Sequence, residues 1–148
     1  MRRARCARLS PGRDVAFFFY GTLIDRDLLS EVLRRRVARR ALLPARLRGY
    51  RRAAVHGANY PVVLAQRGAT VRGVVLRRVK PAERARLSAY EGDGYEQVCA
   101  LAELPRRGRA QVLLFKPKPG AYAVTTRPWS LASWRLHRNR RQREAVRA

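Results

Sequence analysis

VAFFFYGTL, residues 15–23, is the stretch that decides the fold. Three phenylalanines and a tyrosine follow one another without alternating polar residues, which predicts a strand buried on both faces. The strand ends at Gly21, because glycine permits a turn that other residues avoid. Without a side chain there, the main-chain amides of Gly21, Thr22 and Leu23 stay open to a ligand. A strand followed by a plain turn gives the same pattern, so this stretch alone does not assign a function.

Length and composition indicate a single globular domain. A chain of 148 residues, 47% of them hydrophobic, buries a sizeable core without disulfides or metal ions. The formal net charge of +24 therefore does not indicate disorder. Only three of the 34 basic residues are lysine. This excess of arginine is typical of a GC-rich coding bias, although arginine also favours phosphate contacts, and the two explanations are compatible.

Two basic segments flank the predicted domain. We expect residues 1–14 to be a frayed leader, residues 15–136 to form the folded domain and residues 137–148 to be a basic tail. No apolar run approaches the roughly 18 residues that cross a bilayer, and the first residues lack the apolar centre of a secretory signal. We therefore expect a cytoplasmic protein without a membrane partner.

The two cysteines give no sign of a structural framework. Cys6 and Cys99 are far apart in the sequence, and neither belongs to a CxxC pair or to a His/Cys cluster at metal-ligand spacing. We expect neither a disulfide framework nor a metal site.

A helix is predicted directly after the first loop. Asp25 or Asp27 can cap it, and apolar residues recur at helical spacing to about Arg39. The arginines of this segment gather on the other face, which indicates either a solvated surface or a docking patch for nucleic acid. Because no aromatic residues are interleaved with them, we favour the solvated surface.

The middle of the chain has a β pattern. We predict three short strands, residues 47–55, 61–65 and 70–79, separated by turns at HGANYP and QRGA. Gly73 inside the third strand predicts a bulge or the close approach of another backbone segment. His56 has no serine or cysteine partner that would make a catalytic triad, and a local hydrogen bond is its commoner role.

The last third of the chain predicts a hairpin and a short helix. Residues 95–104 and 109–116 form two strands linked by PRRGR. WSLASWRLH then forms a short helix, and we expect Trp129 and Trp134 to cover an open edge or mouth of the sheet.

Glu91 is the residue best suited to chemistry. Pro81 suits a first helical turn and Gly92 commonly follows a last one, so the helix between them places Glu91 in its final turn. The negative end of the helix dipole and partial burial both disfavour a charged carboxylate there, so we expect a raised pKa. Such a glutamate takes a proton from one substrate atom and returns it to another. It can instead accept backbone amides beyond the helix or pair with an arginine.

YGTL after a hydrophobic strand, followed some seventy residues later by LSAYEGDGYEQV, resembles the gamma-glutamylcyclotransferase-like family. YGxL and a downstream LDxxEG mark that family, and the two motifs in this order and spacing are fairly specific. The likeness covers residues 17–134 and includes a tryptophan-led helix near the end. It implies an α+β fold, a small mixed β-barrel with flanking helices, whose cavity holds a γ-glutamyl group.

The resemblance also implies an activity. The α-amine of a γ-glutamyl group attacks its own γ-carbonyl, 5-oxoproline forms, and an amine, amino acid or peptide leaves. Tyr20, Gly21, Thr22 and Leu23 would form the loop whose amides hold the glutamyl moiety, and Glu91 would be the acid–base. No metal or organic cofactor is implied, and the expected partner is a small γ-glutamyl substrate.

Further positions follow or depart from the family pattern. Tyr95 fits it, and we expect Tyr60 to line the cavity, although a plain core or turn tyrosine fits that position equally. Ser88 replaces the aspartate that commonly precedes the glutamate. Gln97 stands where many relatives have arginine. We expect this change at Gln97 to alter a supporting contact or the substrate preference.

Two other functions stay open at this point. The same fold can serve as a binding module for a small ligand or a protein, without turnover. The arginine-rich ends can contact nucleic acid through counterion release, which predicts a steep salt dependence. The sequence indicates neither the leaving group nor the oligomeric state.

Overall fold

The computed structural model describes residues 12–147, of which residues 141–147 are described as helical backbone alone. Most of the predicted leader, residues 1–11, lies outside the described residues. The strands and helices follow one another in this order: β1 (Val15–Phe19), α1 (Arg26–Leu33), β2 (Leu43–Val55), β3 (Pro61–Val79), α2 (Pro81–Glu91), β4 (Tyr95–Leu104), β5 (Gly108–Pro117), β6 (Val124–Thr125) and α3 (Leu131–Arg147).

The strands form one mixed sheet in the order β3-β1-β5-β4-β2-β6. Neighbouring strands are antiparallel except for β1 and β5, which are parallel. β2 also pairs with β3, so the pairing of the five longer strands closes into a ring. The predicted α+β class is confirmed, and the ring is the closure that a small mixed barrel requires.

β1 lies in the core on both faces, as its sequence predicted. Phe17, Phe18 and Phe19 are at most 3% exposed. Phe17 and Phe19 pack in a cluster with apolar residues of α1 and α2, whereas Phe18 packs in a second cluster built from the strands. Because neither face meets water, the strand carries no polar position.

β3 is one strand of 19 residues rather than the two strands predicted. Its pairing with β2 shifts at the predicted turn QRGA, because Arg48 pairs with Thr70 while Tyr50 pairs with Ala65. Residues 66–69 therefore bulge out of the ladder. The turn residues were correctly located, but the partner strand carries the sheet past them.

Gly73 occupies the point of close backbone approach that the sequence predicted. A Cβ atom at this position would lie 2.1 Å from the carbonyl oxygen of Phe19 and 2.8 Å from the ring of Phe18. The packing of β1 against β3 thus requires glycine here.

α1 is shorter than predicted. It ends at Leu33 because Arg34 adopts a left-handed conformation (φ 57°) and its amide donates to the carbonyl of Glu31. At the other end, Asp25 rather than Asp27 is the cap, since its side chain accepts a hydrogen bond from the amide of Leu28 at 3.0 Å.

α2, β4 and β5 match their predicted ranges, whereas α3 does not. α2 begins at Pro81 and ends at Glu91, with Gly92 following at φ 85°, as predicted. β4 and β5 also match their predicted ranges to within a residue. α3 begins at Leu131, so Trp129 and Ser130 of the predicted WSLASWRLH helix precede it. It continues to Arg147, so most of the predicted basic tail is helical.

The structure bears on the expectations for the cysteines and for membrane-spanning segments. Cys99 lies in β4 and is disulfide-bonded, which spacing along the sequence did not indicate. The other cysteine, Cys6, lies outside the described residues. Within residues 12–147, no helix combines the length and the apolar character needed to cross a membrane.

Candidate functional site

A cavity of about 1720 Å³ opens where β1 ends. Its walls are the loop after β1, the β2–β3 hairpin, the end of α2 and the segment that leads into α3. Every site residue that the sequence singled out lines it: Tyr20, Gly21, Thr22, Leu23, Tyr60, Glu91 and Tyr95. The fold thus brings together two motifs that lie about seventy residues apart in the sequence.

The loop after β1 forms a 3-10 turn at Thr22–Ile24. The amide of Ile24 donates to the carbonyl of Gly21 and the amide of Asp25 to that of Thr22, each at 3.0 Å. The hydrogen bonding of the turn therefore begins at Ile24 and leaves the amides of Thr22 and Leu23 without an acceptor inside it. The Leu23 side chain, 3% exposed, anchors the loop in the core.

The loop is also held from the sides. The Tyr20 hydroxyl donates to the carbonyl of Phe115 at 2.6 Å, and Arg52 Nε donates to the carbonyl of Tyr20 at 2.8 Å. A Cβ atom on Gly21 would lie 3.0 Å from the ring of Pro61, so the loop packs directly on the hairpin. The sequence did not indicate the role of Arg52, because nothing local distinguishes it from the other arginines.

Glu91 lies at the end of α2, facing the cavity. Burial raises its pKa from 4.5 to about 7. Of the two causes expected from the sequence, burial is therefore the effective one. Among the side chains that the structure describes, none makes an ion pair with Glu91. This carboxyl group is thus poised between its charged and neutral forms near neutral pH.

Aromatic side chains surround the carboxyl group. The ring of Tyr95 lies 5.2 Å from that of Tyr122, which in turn meets Tyr60 edge to face at 6.1 Å. Burial, and then the nearby charge of Glu91, raise the pKa of Tyr95. The Tyr90 hydroxyl lies 3.3 Å from Thr22 Oγ1, so the end of α2 touches the loop. Sequence reasoning missed both Tyr90, which occupies a variable position of the second motif, and Tyr122, which no motif includes.

The two departures from the family pattern touch each other. Gln97 Nε2 donates to Ser88 Oγ at 2.6 Å, and Gln97 Oε1 accepts from Arg84 Nε at 2.8 Å. Ser88 lies one turn before Glu91, so these bonds tie the last turns of α2 to β4. A neutral pair stands where the pattern has aspartate and arginine, and it supports the helix end that carries Glu91.

The tryptophans lie at the cavity, as predicted. Trp129 and Trp134 both line it. Trp129 Nε1 donates to the carbonyl of Asn59 at 3.1 Å, and the guanidinium of Arg52 lies 5.7 Å from the Trp129 ring. The segment before α3 is therefore fastened to the β2–β3 hairpin.

An ion-pair cluster holds α3 beside the loop. Asp25, only 8% exposed, accepts from Arg135 at 2.8 Å and faces Arg138 at 3.7 Å. Burial alone would raise the pKa of Asp25, but the amide of Leu28 and the two guanidinium groups hold it below its usual value. Asp25 thus joins α3 to the start of α1, a contact that the sequence did not indicate.

The chemistry available in this cavity is proton transfer and hydrogen bonding. One carboxyl group with a pKa near 7, main-chain amides and several phenols line the same space. Within the described residues, no group of three or more His, Cys, Asp or Glu side chains is arranged to hold a metal ion. Such a set suits a reaction that shuttles a proton within one bound substrate.

Comparisons with known proteins agree with this description. The family model described as gamma-glutamyl cyclotransferase, AIG2-like, matches residues 17–134. The solution structure of one Arabidopsis thaliana protein is 23% identical, with 95% of this chain and 84% of that chain covered and a TM-score of 0.66. A second from the same organism is also 23% identical, with 90% and 89% covered and a TM-score of 0.63.

A further solved structure carries the description gamma-glutamyl cyclotransferase. It is 18% identical, with 75% of this chain and 69% of that chain covered and a TM-score of 0.61. At these identities the structural likenesses establish a shared fold. No curated protein sequence matches significantly.

Proposed function

The chain belongs to the gamma-glutamyl cyclotransferase, AIG2-like family, and on this basis we propose that it converts the γ-glutamyl group of a γ-glutamyl amine, amino acid or peptide to 5-oxoproline. The observation that supports this most is the presence, in one cavity, of Glu91 and of the loop formed by residues 20–23. Glu91 is the proposed acid–base, and the loop amides are proposed to bind the glutamyl moiety.

The proposed reaction needs one proton shuttle. The Glu91 carboxylate takes a proton from the α-amine as its nitrogen attacks the γ-carbonyl carbon. It then returns that proton to the leaving nitrogen as the original amide bond breaks, so the products are 5-oxoproline and a free amine. A pKa of about 7 favours both directions of transfer at neutral pH. The nucleophile belongs to the same molecule as the carbonyl, so ring closure already benefits from proximity.

The tyrosines complete the proposed binding site. Tyr20, Tyr60 and Tyr95 line the cavity beside Glu91. Tyr20 is buried and Tyr95 half-buried, so their rings exclude water on that side of the reacting atoms, whereas Tyr60 is exposed at the rim. A drier site strengthens the hydrogen bonds that the loop amides give to the substrate.

A product assay tests the proposed function. The purified protein is incubated with γ-glutamyl amino acids, γ-glutamyl amines and γ-glutamyl isopeptides, and 5-oxoproline and the released amine are quantified by mass spectrometry. We expect equimolar release of both products from at least one class. A panel that stays unchanged contradicts the proposal, and saturable binding without product would support the binding-module function instead.

Glu91 also predicts a pH dependence of stability that does not require turnover. Burial raises the folded-state pKa from 4.5 to about 7, so between these values the folded protein binds more protons than the unfolded chain. The stabilisation is fully present below the unfolded pKa and is lost as the pH rises through the folded pKa. We expect the free energy of unfolding of the wild type, relative to Glu91→Gln, to fall across this interval and then level off. Urea unfolding of both proteins from about pH 4 to about pH 8 measures it; a pH-independent difference would show that Glu91 is not desolvated.

Gln97 is expected to act on the rate through Glu91. It does not line the cavity, but it holds the helix turn that carries Glu91. Gln97→Ala should lower kcat on the order of tenfold with little change in KM, because the catalytic group is kept but less well placed. Gln97→Glu keeps the acceptor for Arg84, and its second carboxylate oxygen can accept from the Ser88 hydroxyl in place of the bond that Gln97 donates, so it should restore most of the loss. Gln66→Ala, on the exposed bulge of β3, is the matched control; an unchanged kcat in Gln97→Ala would exclude the positioning role.

A further inference from the structure

The cavity carries an excess of positive charge away from Glu91. Two arginines and two histidines belong to its lining: Arg127, Arg138, His56 and His137. Of the described residues that line the cavity, Glu91 alone has a carboxyl group. The basic residues come from the β2–β3 hairpin, the segment before α3, and α3 itself, and not from the loop after β1.

The two arginines differ in how their charge is compensated. Arg138 lies 3.7 Å from Asp25 and 3.6 Å from Glu31, and its guanidinium stacks over Trp134 at 5.3 Å. Among the side chains that the structure describes, those of residues 12–140, no carboxylate makes an ion pair with Arg127. Within this described part of the chain, Arg127 is therefore a cavity-lining arginine whose charge no carboxylate neutralises.

The backbone of Arg127 is fixed in place on both sides. Before it, β6 pairs with β2, and the amide of His56 donates to the carbonyl of Ala123 at 2.7 Å. After it, Trp129 bonds Asn59. The amide of Arg127 itself donates to Thr125 Oγ1 at 2.9 Å. The backbone of this exposed arginine therefore keeps its position at the rim of the cavity.

We infer that Arg127 is a specificity-determining residue, which selects γ-glutamyl substrates whose leaving group carries a carboxylate over those whose leaving group is a simple amine. The inference rests on the proposed function for the orientation of the substrate. With the glutamyl end held at the loop after β1 and at Glu91, the leaving group extends towards the walls formed by the hairpin and the segment before α3.

The chemistry of the side chains supports this assignment. A planar guanidinium binds a carboxylate through two parallel hydrogen bonds, which a neutral leaving group does not offer. The rings of Trp129 and Tyr122 line the same space, so they give the remainder of the leaving group an apolar contact. The glutamyl carboxylate is common to all substrates and therefore does not discriminate among them.

A matched pair of substrates isolates this effect. γ-Glutamylalanine and γ-glutamylethylamine differ only in the carboxylate of the leaving group. We expect the wild type to have a kcat/KM at least about tenfold higher for γ-glutamylalanine, as a charged hydrogen bond provides. Arg127→Gln should lower kcat/KM for γ-glutamylalanine and so bring the ratio of the two kcat/KM values close to one. Arg127→Lys should keep part of the preference. Arg67→Gln, at the exposed bulge of β3 and outside the cavity, should keep the wild-type ratio.

Binding of the same two compounds, measured by calorimetry on Glu91→Gln and on Glu91→Gln with Arg127→Gln, separates the two proposals. One outcome is that the wild type forms no 5-oxoproline, while Glu91→Gln binds γ-glutamylalanine more tightly than γ-glutamylethylamine and the double variant does not. That outcome would refute the proposed function and keep the specificity role of Arg127. An equal loss on both compounds would overturn the inference, because Arg127 would then bind the glutamyl carboxylate that they share. Ratios near one in the protein with Arg127 intact would overturn it as well.

Discussion

Glu91→Gln is expected to lower the rate of 5-oxoproline formation by about 10²–10⁴-fold, the usual contribution of a positioned acid–base group. Glutamine has nearly the same shape and keeps a hydrogen-bonding head, but it does not accept and return a proton. Because burial already disfavours the charged form of Glu91, the neutral replacement should not unfold the protein. The rate is measured as kcat on the best substrate of the panel, and thermal unfolding is recorded on the same samples.

Two further variants make this result specific. Glu96→Gln removes an exposed carboxylate of β4 that does not line the cavity, and should keep the wild-type rate. Glu91→Asp keeps a carboxyl group but withdraws it by one methylene, so we expect a rate between those of Glu91→Gln and the wild type. Wild-type turnover in Glu91→Gln would remove Glu91 from the mechanism.

Gly73→Ala is expected to destabilise the fold by more than about 3 kcal/mol, at the upper end of the cost of overpacking. The added methyl group would lie 2.1 Å from the carbonyl oxygen of Phe19, an atom of the β1 backbone. Backbone in the middle of a paired sheet does not move aside as the end of a flexible side chain does, so β1 and β3 must separate. For a domain of this size, the melting temperature should fall by about 6–12 °C.

Gly68→Ala is the matched control, on the same strand. Its Cβ would meet no atom within 4 Å, but the backbone there has a φ of 83°. The substitution should therefore lower the free energy of unfolding only by the cost of placing alanine in the left-handed conformation, about 1 kcal/mol. Equal melting temperatures for the two variants would contradict the close packing of β1 on β3.

The sequence predicted the elements whose ends have local signals. α2 begins at a proline and ends before a glycine, and β1 ends at Phe19, just before Gly21, so these boundaries follow closely from the residues themselves. The end of α1 does not, because Arg34 adopts a left-handed conformation that glycine or asparagine usually marks. β3 continues through residues 66–69 because β2 pairs on both sides of them, which is a property of the partner strand.

In the candidate site, too, the residues with local sequence signals were predicted and those placed by distant parts of the chain were not. Residues 20–23 and Glu91 were singled out because they belong to two motifs that are specific in their combined order and spacing. Arg52 contacts Tyr20 from 32 positions away, and Arg135 contacts Asp25 across 110 positions. Such contacts arise only when the chain is folded, and no single-sequence pattern reports them.

The cavity combines two kinds of wall whose positions depend on different parts of the chain. The proposed chemistry lies on the loop after β1 and on α2, which are held by the apolar core. The hairpin tip, residues 56–60, and the segment containing Trp129 are instead exposed or half-buried and are hydrogen-bonded to each other. Substitutions in the second pair of walls can therefore accumulate during evolution without disturbing the first. A protein built in this way can acquire a new substrate range by drift in two surface segments, while its reaction stays the same.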